Sequence, residues 1–566
     1  MKPEKIVIVG GVAGGATAAA RLRRLNEHAH IVLIERGEYI SFANCGLPYY
    51  IGGAIENRDK LLVQTVAGMS DRFKLDIRNR TEAVRINRDE KTVLMQDLRT
   101  QEVYTESYDT LILSPGAKPM LPPIPGIAEA EHLFTLRNIP DTDKIKGFVN
   151  KVRPRRAAVV GGGFIGLEMA ENLHELSIEV SIVERSNQVM EPLDPEMAAS
   201  LHLHLQEQGV ALYLGDGLAS IEDHGKRLVL QSGAELHTDM IIMAAGVQPE
   251  STLAEEAGLA LGNRKTIAVN EYLQTSDPNI YAVGDAIEVR DYVNGTACFV
   301  PLAWPANRQG RIVADNIFGK KTPYRGTLGT AIAKVFNLTA ATTGNNEKNL
   351  KRQGIAYHAV HIHPNSHAGY YPGAKPMALK LLFSPKDGSI LGAQGVGEKG
   401  VDKRIDVLAT AIKAGLTVHD LPELELAYAP PYSSAKDPVN MAGYVAVNLL
   451  EGMLETVQWN EIDDLMAAGH YVLDVREDSE RMTDHMAGSA HIPLHELRNR
   501  LSELPANETI YIYCHAGLRG YLALRILQEN GFKAKSLDGG FKTYSIARYG
   551  SAENVSASRK EQETVC

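Results

Sequence analysis

Apolar positions in this chain come in short unbroken runs, separated by Gly-rich turns and mixed polar segments. Residues 5–10, KIVIVG, are apolar and β-branched, the pattern of a buried parallel strand. GGVAGGATAAARLRRL follows as a Gly-rich turn opening an Ala-rich helix, and IVLIER adds a second strand ending at Glu35. The order returns about 150 residues later: AAVVGGGFIG (157–166) is a strand and turn, and the strand VSIVER ends at Glu184. YDTLILSPGAKP (108–119) reads as a strand ending in a crossover turn. NIYAVGDA (279–286) reads as an apolar strand that delivers Gly284 and Asp285 to a ligand. From residue 326 a separate mixed domain is expected, with strands AIAKVF, YHAVHIH, MALKLLF and ILGAQGVG and then a helix, DKRIDVLATAIKAG. Organisation changes again near residue 450, after which come YVLDVRE, HMAGSAHIPL, IYIYCHAGLRGYLAL and KSLDGGF.

A Gly-rich turn gains meaning in the strand–turn–helix–strand order. Glycines let the backbone approach a pyrophosphate, the helix N-terminus favours its charge, and an acid at the next strand end accepts ribose hydroxyls. The first turn matches G-x-G-x-x-G imperfectly: Gly10 and Gly15 fit, but Val12 holds the middle position between Gly11 and Gly14. The second is in full register at Gly161, Gly163 and Gly166. One such turn is compatible with an ordinary βα connection, whereas two point to two dinucleotides. Glu184 favours a free 2′-hydroxyl and hence NADH, while Arg185 admits NADPH.

Composition narrows the classes. At 566 residues the chain is too long for one core, and 44% apolar with 23% charged residues is a globular profile. A net charge of −10 argues against nucleic acid or an anionic membrane surface as the main partner. No apolar run is long enough for a membrane span, and MKPEKIVIVGG enters a strand with no secretory h-region. Four scattered cysteines (Cys45, Cys298, Cys514 and Cys566) form no disulfide framework and suit a reducing cytoplasm. No metal site is expected.

Two of the four cysteines sit where chemistry is expected. SFANCGLPYY (41–50) places Cys45 in a Ser/Asn/Gly/Pro-rich loop just after the first dinucleotide unit, with no second cysteine nearby. Its thiol has three uses open to it: a mixed disulfide with a small thiol, a sulfenic acid cycle, or inert packing. In IYIYCHAGLR a strand ends at Cys514, and a six-residue loop opens a helix. Consecutive N–H groups in such a loop form an anion nest suited to a thiolate or persulfide, and Arg519 adds fixed charge. Cys298, in TACFVPLAWP, is expected in the core without a role, and Cys566 closes a polar tail, SASRKEQETVC.

The two Gly-rich turns and the GDA stretch resemble the pyridine nucleotide–disulfide oxidoreductases over roughly residues 1–445. That resemblance implies FAD contacts from Gly10, Gly11, Val12, Ala13, Gly14, Gly15, Glu35, Arg36, Asn44, Ser114, Gly116, Gly284, Asp285 and Ala303. It implies nicotinamide-nucleotide contacts from Gly161, Gly163, Phe164, Ile165, Gly166, Glu184, Arg185 and Gly246. SFANCGLPYY resembles the active-site segment of coenzyme A disulfide reductases, with Ser41, Asn44 and Cys45 matching. By that resemblance Cys45 is the nucleophile, with a lowered thiol pKa. Thr17, Arg21, Arg24, Ser41, Asn44, Tyr370 and Lys436 then contact coenzyme A, as substrate or cofactor. Tyr370 and Tyr428 are expected to orient or protonate a departing sulfur, in a homodimer with shared active sites. Residues 457–550 resemble a rhodanese domain, with Asp474 and Arg476 in its DVR motif and Cys514, Gly517 and Arg519 in its sulfur-carrying loop.

The expected fold is therefore α/β, with two Rossmann-like nucleotide-binding domains, an α+β dimerisation domain and a C-terminal α/β rhodanese domain. The expected layout is FAD-binding 1–150 and 266–325, NAD(P)H-binding 151–265, dimerisation 326–450, rhodanese 457–550 and a flexible tail 551–566. The expected activity is FAD-dependent NAD(P)H reduction of coenzyme A persulfide, polysulfide or coenzyme A disulfide through Cys45, with sulfane sulfur carried by Cys514. Two rivals stand beside it: an NADH oxidase or peroxidase cycling a Cys45 sulfenic acid, and a non-catalytic redox sensor reporting through its flavin.

Overall fold

The computed structural model describes residues 4–556. Its chain divides into two units, one of residues up to 183 with 218–329, the other of residues 184–217 with 330 onward. In the first, five parallel strands stand in the order Ile280–Ala282, Thr110–Leu113, Lys5–Val9, His30–Glu35 and Asp76–Asn79. Ile6, Val7, Ile8, Ile31, Val32 and Leu33 are fully buried, as a parallel strand covered on both faces requires. The helix Gly14–Leu25 buries Ala16, Ala18, Ala19 and Leu22 and packs against the helix Ala303–Ile317. A second parallel set contains Arg156–Val160, Met240–Met243 and Leu133–Phe134.

The two Gly turns share one backbone geometry. Gly10 (φ +100°) and Gly161 (φ +115°) stand in the left-handed region, where a side chain is strained. A Cβ on Gly15 would lie 1.9 Å from the Gly10 carbonyl oxygen, and one on Gly166 would lie 1.9 Å from that of Gly161. Close helix–strand packing therefore requires both. Gly15→Ala is expected to cost about 1–3 kcal/mol by overpacking. A thermal melt equal to the native one would contradict this.

In the second unit five antiparallel strands run in the order Ala331–Val335, Leu338–Gly344, Ile390–Gly397, Met377–Phe383 and His358–Ile362. The helices Val401–Ala414 and Pro438–Leu450 pack on this sheet. The C-terminal domain is a parallel sheet ordered Thr456–Val457, Lys533–Leu537, Thr509–Tyr513, Val472–Asp474 and Ala490–His491. Its helix Gly540–Tyr549 packs along Pro195–Glu207, where His202 Nδ1 lies 2.6 Å from the Gly550 carbonyl oxygen. Residues 551–556 belong to this domain rather than to a flexible tail. Val555 is buried, and its N–H donates to the Ser551 carbonyl at 2.9 Å. The rest of the expected tail, Cys566 included, lies outside the described residues.

A buried charge network ties these pieces of the second unit together. Lys380, fully buried on Met377–Phe383, places its ammonium 2.8 Å from Asp194 and also bonds Glu196 and Glu347. His361 bonds Glu196 through Nε2 (2.9 Å) and Asp538 through Nδ1 (2.6 Å). Burial alone would lower the His361 pKa, but Asp538 and Glu196 outweigh it and push it up to about 9. A base whose folded pKa is raised contributes stability that is full below its ordinary 6.5 and is lost as pH rises through about 9. His361→Gln should therefore lower the melting temperature more at pH 6 than at pH 9.5. Equal losses at the two pH values would contradict the cationic assignment.

Candidate active site

The first Gly turn, the end of the second strand and the Asp285 turn border one cleft of ≈ 680 Å³ in the first unit. All the residues expected at FAD line it except Gly15 and Ala303. Gly15 lies beneath the turn against the Gly10 carbonyl, and Ala306, one helical turn beyond the exposed Ala303, supplies the wall instead. Glu35 accepts the Gly11 N–H on one oxygen (2.9 Å) and the Gly37 N–H on the other (2.7 Å), which fixes its carboxylate at the cleft. Ala13 (φ 38°) and Ser41 (φ 45°) adopt the left-handed region, strain of the kind that gathers at functional sites. The Ser41 N–H donates to the Gly11 carbonyl at 2.9 Å, tying the Cys45 segment to the first turn. Gly284 donates its N–H to Gln309 Oε1 at 2.7 Å. Burial pushes the neighbouring Asp285 carboxyl up to about 6, partly offset by Arg137. Arg137, which also lines the cleft and donates to the Pro115 carbonyl (3.2 Å), escaped the sequence reading because no local motif marks it.

Cys45 is exposed, in a single 3₁₀ turn, Asn44–Gly46, that leads into the helix Leu47–Gly52. The other described cysteines, Cys298 and Cys514, are also free thiols. The expectation of a lowered thiol pKa is not met by the protein's own groups. Desolvation raises it, Glu168 and Asp285 add to the rise, and the residue's own backbone hydrogen bond opposes them only in part. Glu168, on the helix Phe164–His174, is itself pushed up to about 7 by burial and by Glu171. The sequence reading did not single out this group near the thiol. Cys298 packs against the core, where burial pushes its thiol up to about 12.

In the second turn Gly163 caps the helix Phe164–His174 with open space where a side chain would stand, and Ile165 is exposed on its first turn. Gly246 adopts φ +107°. In the other unit Glu184, at the end of Glu179–Glu184, accepts from the Ser186 N–H and hydroxyl, both at 2.8 Å, beside the exposed Arg185.

The residues expected at coenzyme A divide into two groups. Thr17 donates to Asn307 Oδ1 (2.6 Å), Arg21 is paired with Asp315 (2.8 Å), and Arg24 is exposed. In the second unit the Tyr370 and Tyr428 hydroxyls meet at 3.0 Å with both rings exposed. Lys436 lies 5.6 Å over the Tyr444 ring and lines a cleft of ≈ 620 Å³ with Ala427 and Asn440.

At the C-terminal loop the Gly517 N–H donates to Cys514 Sγ at 3.1 Å, and Gly517 (φ +105°) opens the helix Leu518–Glu529. The fixed charge expected from Arg519 is compensated: its two Nη atoms bond the two Glu480 oxygens at 2.6 and 2.7 Å. Asp474 and Arg476 form a buried fork beneath the loop, with Arg476 stacked 4.3 Å over Phe541.

Comparison with known proteins gives this geometry a family. Residues 4–310 match the pyridine nucleotide-disulphide oxidoreductases, residues 330–438 their dimerisation domain and residues 458–547 a rhodanese-like domain. The chain belongs to the pyridine nucleotide-disulphide oxidoreductase family. It is 38% identical over 443 residues to a coenzyme A disulfide reductase of Staphylococcus epidermidis, covering 78% of this chain and 99% of that one. The crystal structure of reduced Bacillus anthracis CoADR-RHD shares 60% identity and a TM-score of 0.95, covering 96% of this chain and 98% of that one. A NAD-dependent persulfide reductase from A. fulgidus shares 40% identity and a TM-score of 0.89, covering 95% and 100%. Membership in this oxidoreductase family implies FAD and a nicotinamide nucleotide. The cleft fits the flavin nucleotide: it is ≈ 680 Å³, the Gly-rich turn borders it, and the Glu35 carboxylate is fixed at its edge. Among the described residues no helix is long and apolar enough to cross a membrane.

Proposed function

We propose that this oxidoreductase uses NADH, with NADPH admitted, to reduce coenzyme A disulfide, coenzyme A persulfide or polysulfide through Cys45, while Cys514 carries sulfane sulfur. One observation carries the reading: an exposed thiol, without a cysteine partner, on the segment whose Asn44 borders the flavin-sized cleft. Such a thiol must find its sulfur partner in a diffusible molecule. The relatives named as coenzyme A disulfide reductase and persulfide reductase support that partner's identity.

In this reading the first Gly turn and Glu35 hold the FAD pyrophosphate and ribose, and Asp285 holds its ribityl chain. Gly161, Gly163 and Gly166 would receive the pyrophosphate of the nicotinamide nucleotide, and the Glu184 carboxylate favours a free 2′-hydroxyl. Bound FAD would supply the reducing equivalents that the nicotinamide delivers. The Cys45 thiolate attacks one sulfur of the substrate: a new S–S bond forms, the old one breaks, and the electron pair leaves with the departing thiolate. Glu168, with a carboxyl near pH 7, can hold or release a proton beside this thiol. In a homodimer with shared sites, the Tyr370–Tyr428 hydroxyl pair protonates the departing sulfur, and Arg24 and Lys436 meet the phosphates of coenzyme A. The free thiols of Cys45, Cys298 and Cys514 suit the reducing cytoplasm, where we place the enzyme.

The test is NADH oxidation with coenzyme A disulfide, coenzyme A persulfide, polysulfide and peroxide compared at equal concentration. The sulfur substrates should sustain turnover and peroxide should not. Fastest turnover with peroxide, with no response to coenzyme A disulfide, would assign the sulfenic acid chemistry instead.

A further inference from the structure

The segment that follows Glu184 is held in place by two other domains. Glu184 is oriented by Ser186, whose N–H and hydroxyl it accepts at 2.8 Å. From Ser186 the chain runs through Gln188, Val189 and Met190, all buried, to the helix Pro195–Glu207. This stretch lies in the same compact unit as the dimerisation and rhodanese-like domains. From the dimerisation domain, Gln394 Oε1 accepts the Asp194 N–H (2.7 Å), and Lys348 donates to the Glu191 carbonyl (2.8 Å). The anchor nearer to Glu184 leads to the rhodanese domain. His202, buried on the helix Pro195–Glu207, accepts the Val189 N–H on Nε2 (3.1 Å), and its Nδ1 lies 2.6 Å from the Gly550 carbonyl oxygen.

An amide N–H only donates and a carbonyl only accepts, so this ring is neutral and carries its proton on Nδ1. Burial pushes its pKa down to about 4, with the Gly550 carbonyl opposing the fall, so the neutral form holds at physiological pH. Gly550 comes this close because it lacks a side chain: a Cβ there would lie 2.5 Å from the Ala199 carbonyl oxygen. Its φ of −86° suits any residue, so the close approach and not the backbone conformation requires glycine. A second tie reaches the start of the same helix, where His361 bridges Glu196 and Asp538. One imidazole thus joins the backbone of the Glu184 segment to the backbone of the rhodanese domain. Removing it would leave the Val189 N–H and the Gly550 carbonyl unpaired, and the segment free to shift.

We infer that the rhodanese domain has a second role, as a brace for the segment that presents Glu184 to the adenosine ribose of the nicotinamide nucleotide, and that His202 is the positioning residue through which it acts. His202 touches no cofactor in this account; it fixes Val189, and through the short turn before it Ser186 and the Glu184 carboxylate. The inference rests on Glu184 favouring the free 2′-hydroxyl of that ribose, as proposed above.

The test titrates the full-length holoenzyme with ADP-ribose by calorimetry, a reading that needs no turnover. His202→Ala should weaken ADP-ribose binding about 5- to 30-fold, the order set by losing the paired N–H and carbonyl. His202→Gln, which keeps one donor and one acceptor, should recover most of the loss. Gly550→Ala, which disturbs the same seat from the rhodanese side, should weaken binding in the same direction. In steady state KM for NADH should rise in His202→Ala while kcat stays near native. Flavin reduction by reduced nicotinamide mononucleotide, which lacks the adenosine ribose, should be unchanged. Equal losses with NADH and the mononucleotide would mark general damage and overturn the inference. Native ADP-ribose affinity in both His202→Ala and Gly550→Ala, with Glu184→Gln weakened, overturns it and leaves the Glu184 assignment standing. Native affinity in Glu184→Gln overturns that assignment, and this inference with it.

Discussion

Cys45→Ser should lower kcat/KM for coenzyme A disulfide and coenzyme A persulfide by at least about 10³-fold, as removal of a covalent nucleophile does. The loss should fall on kcat rather than on KM, because serine preserves the shape of the loop and removes only the sulfur that bonds to substrate. Flavin reduction by NADH, followed by absorbance, should survive the substitution, since Cys45 is not among the residues proposed to hold the nicotinamide. Reoxidation of the reduced flavin by the sulfur substrate should stop. A Cys45→Ser enzyme that keeps native reoxidation rates would remove the thiol from the mechanism. The pH profile adds a second reading. Desolvation, Glu168 and Asp285 hold the free thiol above its ordinary range, so the thiolate must be favoured by what binds beside it.

The largest effect on stability is expected from Lys380→Met. The ammonium of Lys380 is fully buried among three carboxylates: Asp194 (0% exposed), Glu196 (2%) and Glu347 (18%). These acids lie within 4.8 Å of one another, so without the cation they repel at short range in a medium that screens poorly. Breaking a buried ion pair by deleting one partner costs about 3–5 kcal/mol. Methionine nearly keeps the volume of the side chain, so most of the loss reports charge rather than packing. Urea unfolding of the holoenzyme at pH 7 measures it. The deficit should shrink toward pH 5 as the uncompensated acids take up protons. A variant as stable as the native protein at pH 7 would show that the network contributes nothing net.

What the sequence made legible followed from local geometry. A turn that must pass a carbonyl at 1.9–2.2 Å from a would-be Cβ writes glycine into the chain at fixed spacing, so Gly10, Gly15, Gly161 and Gly166 announce themselves. Glu35 and Glu184 could be placed because each ends a strand whose apolar run is unmistakable. The strand–loop–helix around Cys514 was readable for the same reason. Groups brought in by tertiary packing were not. Arg137 and Ala306 reach their sites from elements with no motif of their own, and Glu168, on the helix of the second Gly turn, has no local signal that links it to Cys45. Lys380 stands in an apolar strand while its acids lie on segments that sequence separation conceals. Arg519 was identified, but its partner Glu480, 39 residues earlier, changes what its charge can do. Ala303 opens the helix Ala303–Ile317, and it is Ala306, one turn further on, that lines the cleft.

The central claim is that the sulfur of Cys45 bonds covalently to a small thiol that comes and goes. Intact-mass measurement of the oxidised protein after coenzyme A disulfide, with NADH withheld, tests it directly. The account predicts one coenzyme A per chain, mapped to Cys45 by peptide analysis, released by NADH and missing from Cys45→Ser. Protein that stays unmodified, or that carries its coenzyme A on another cysteine, would contradict it.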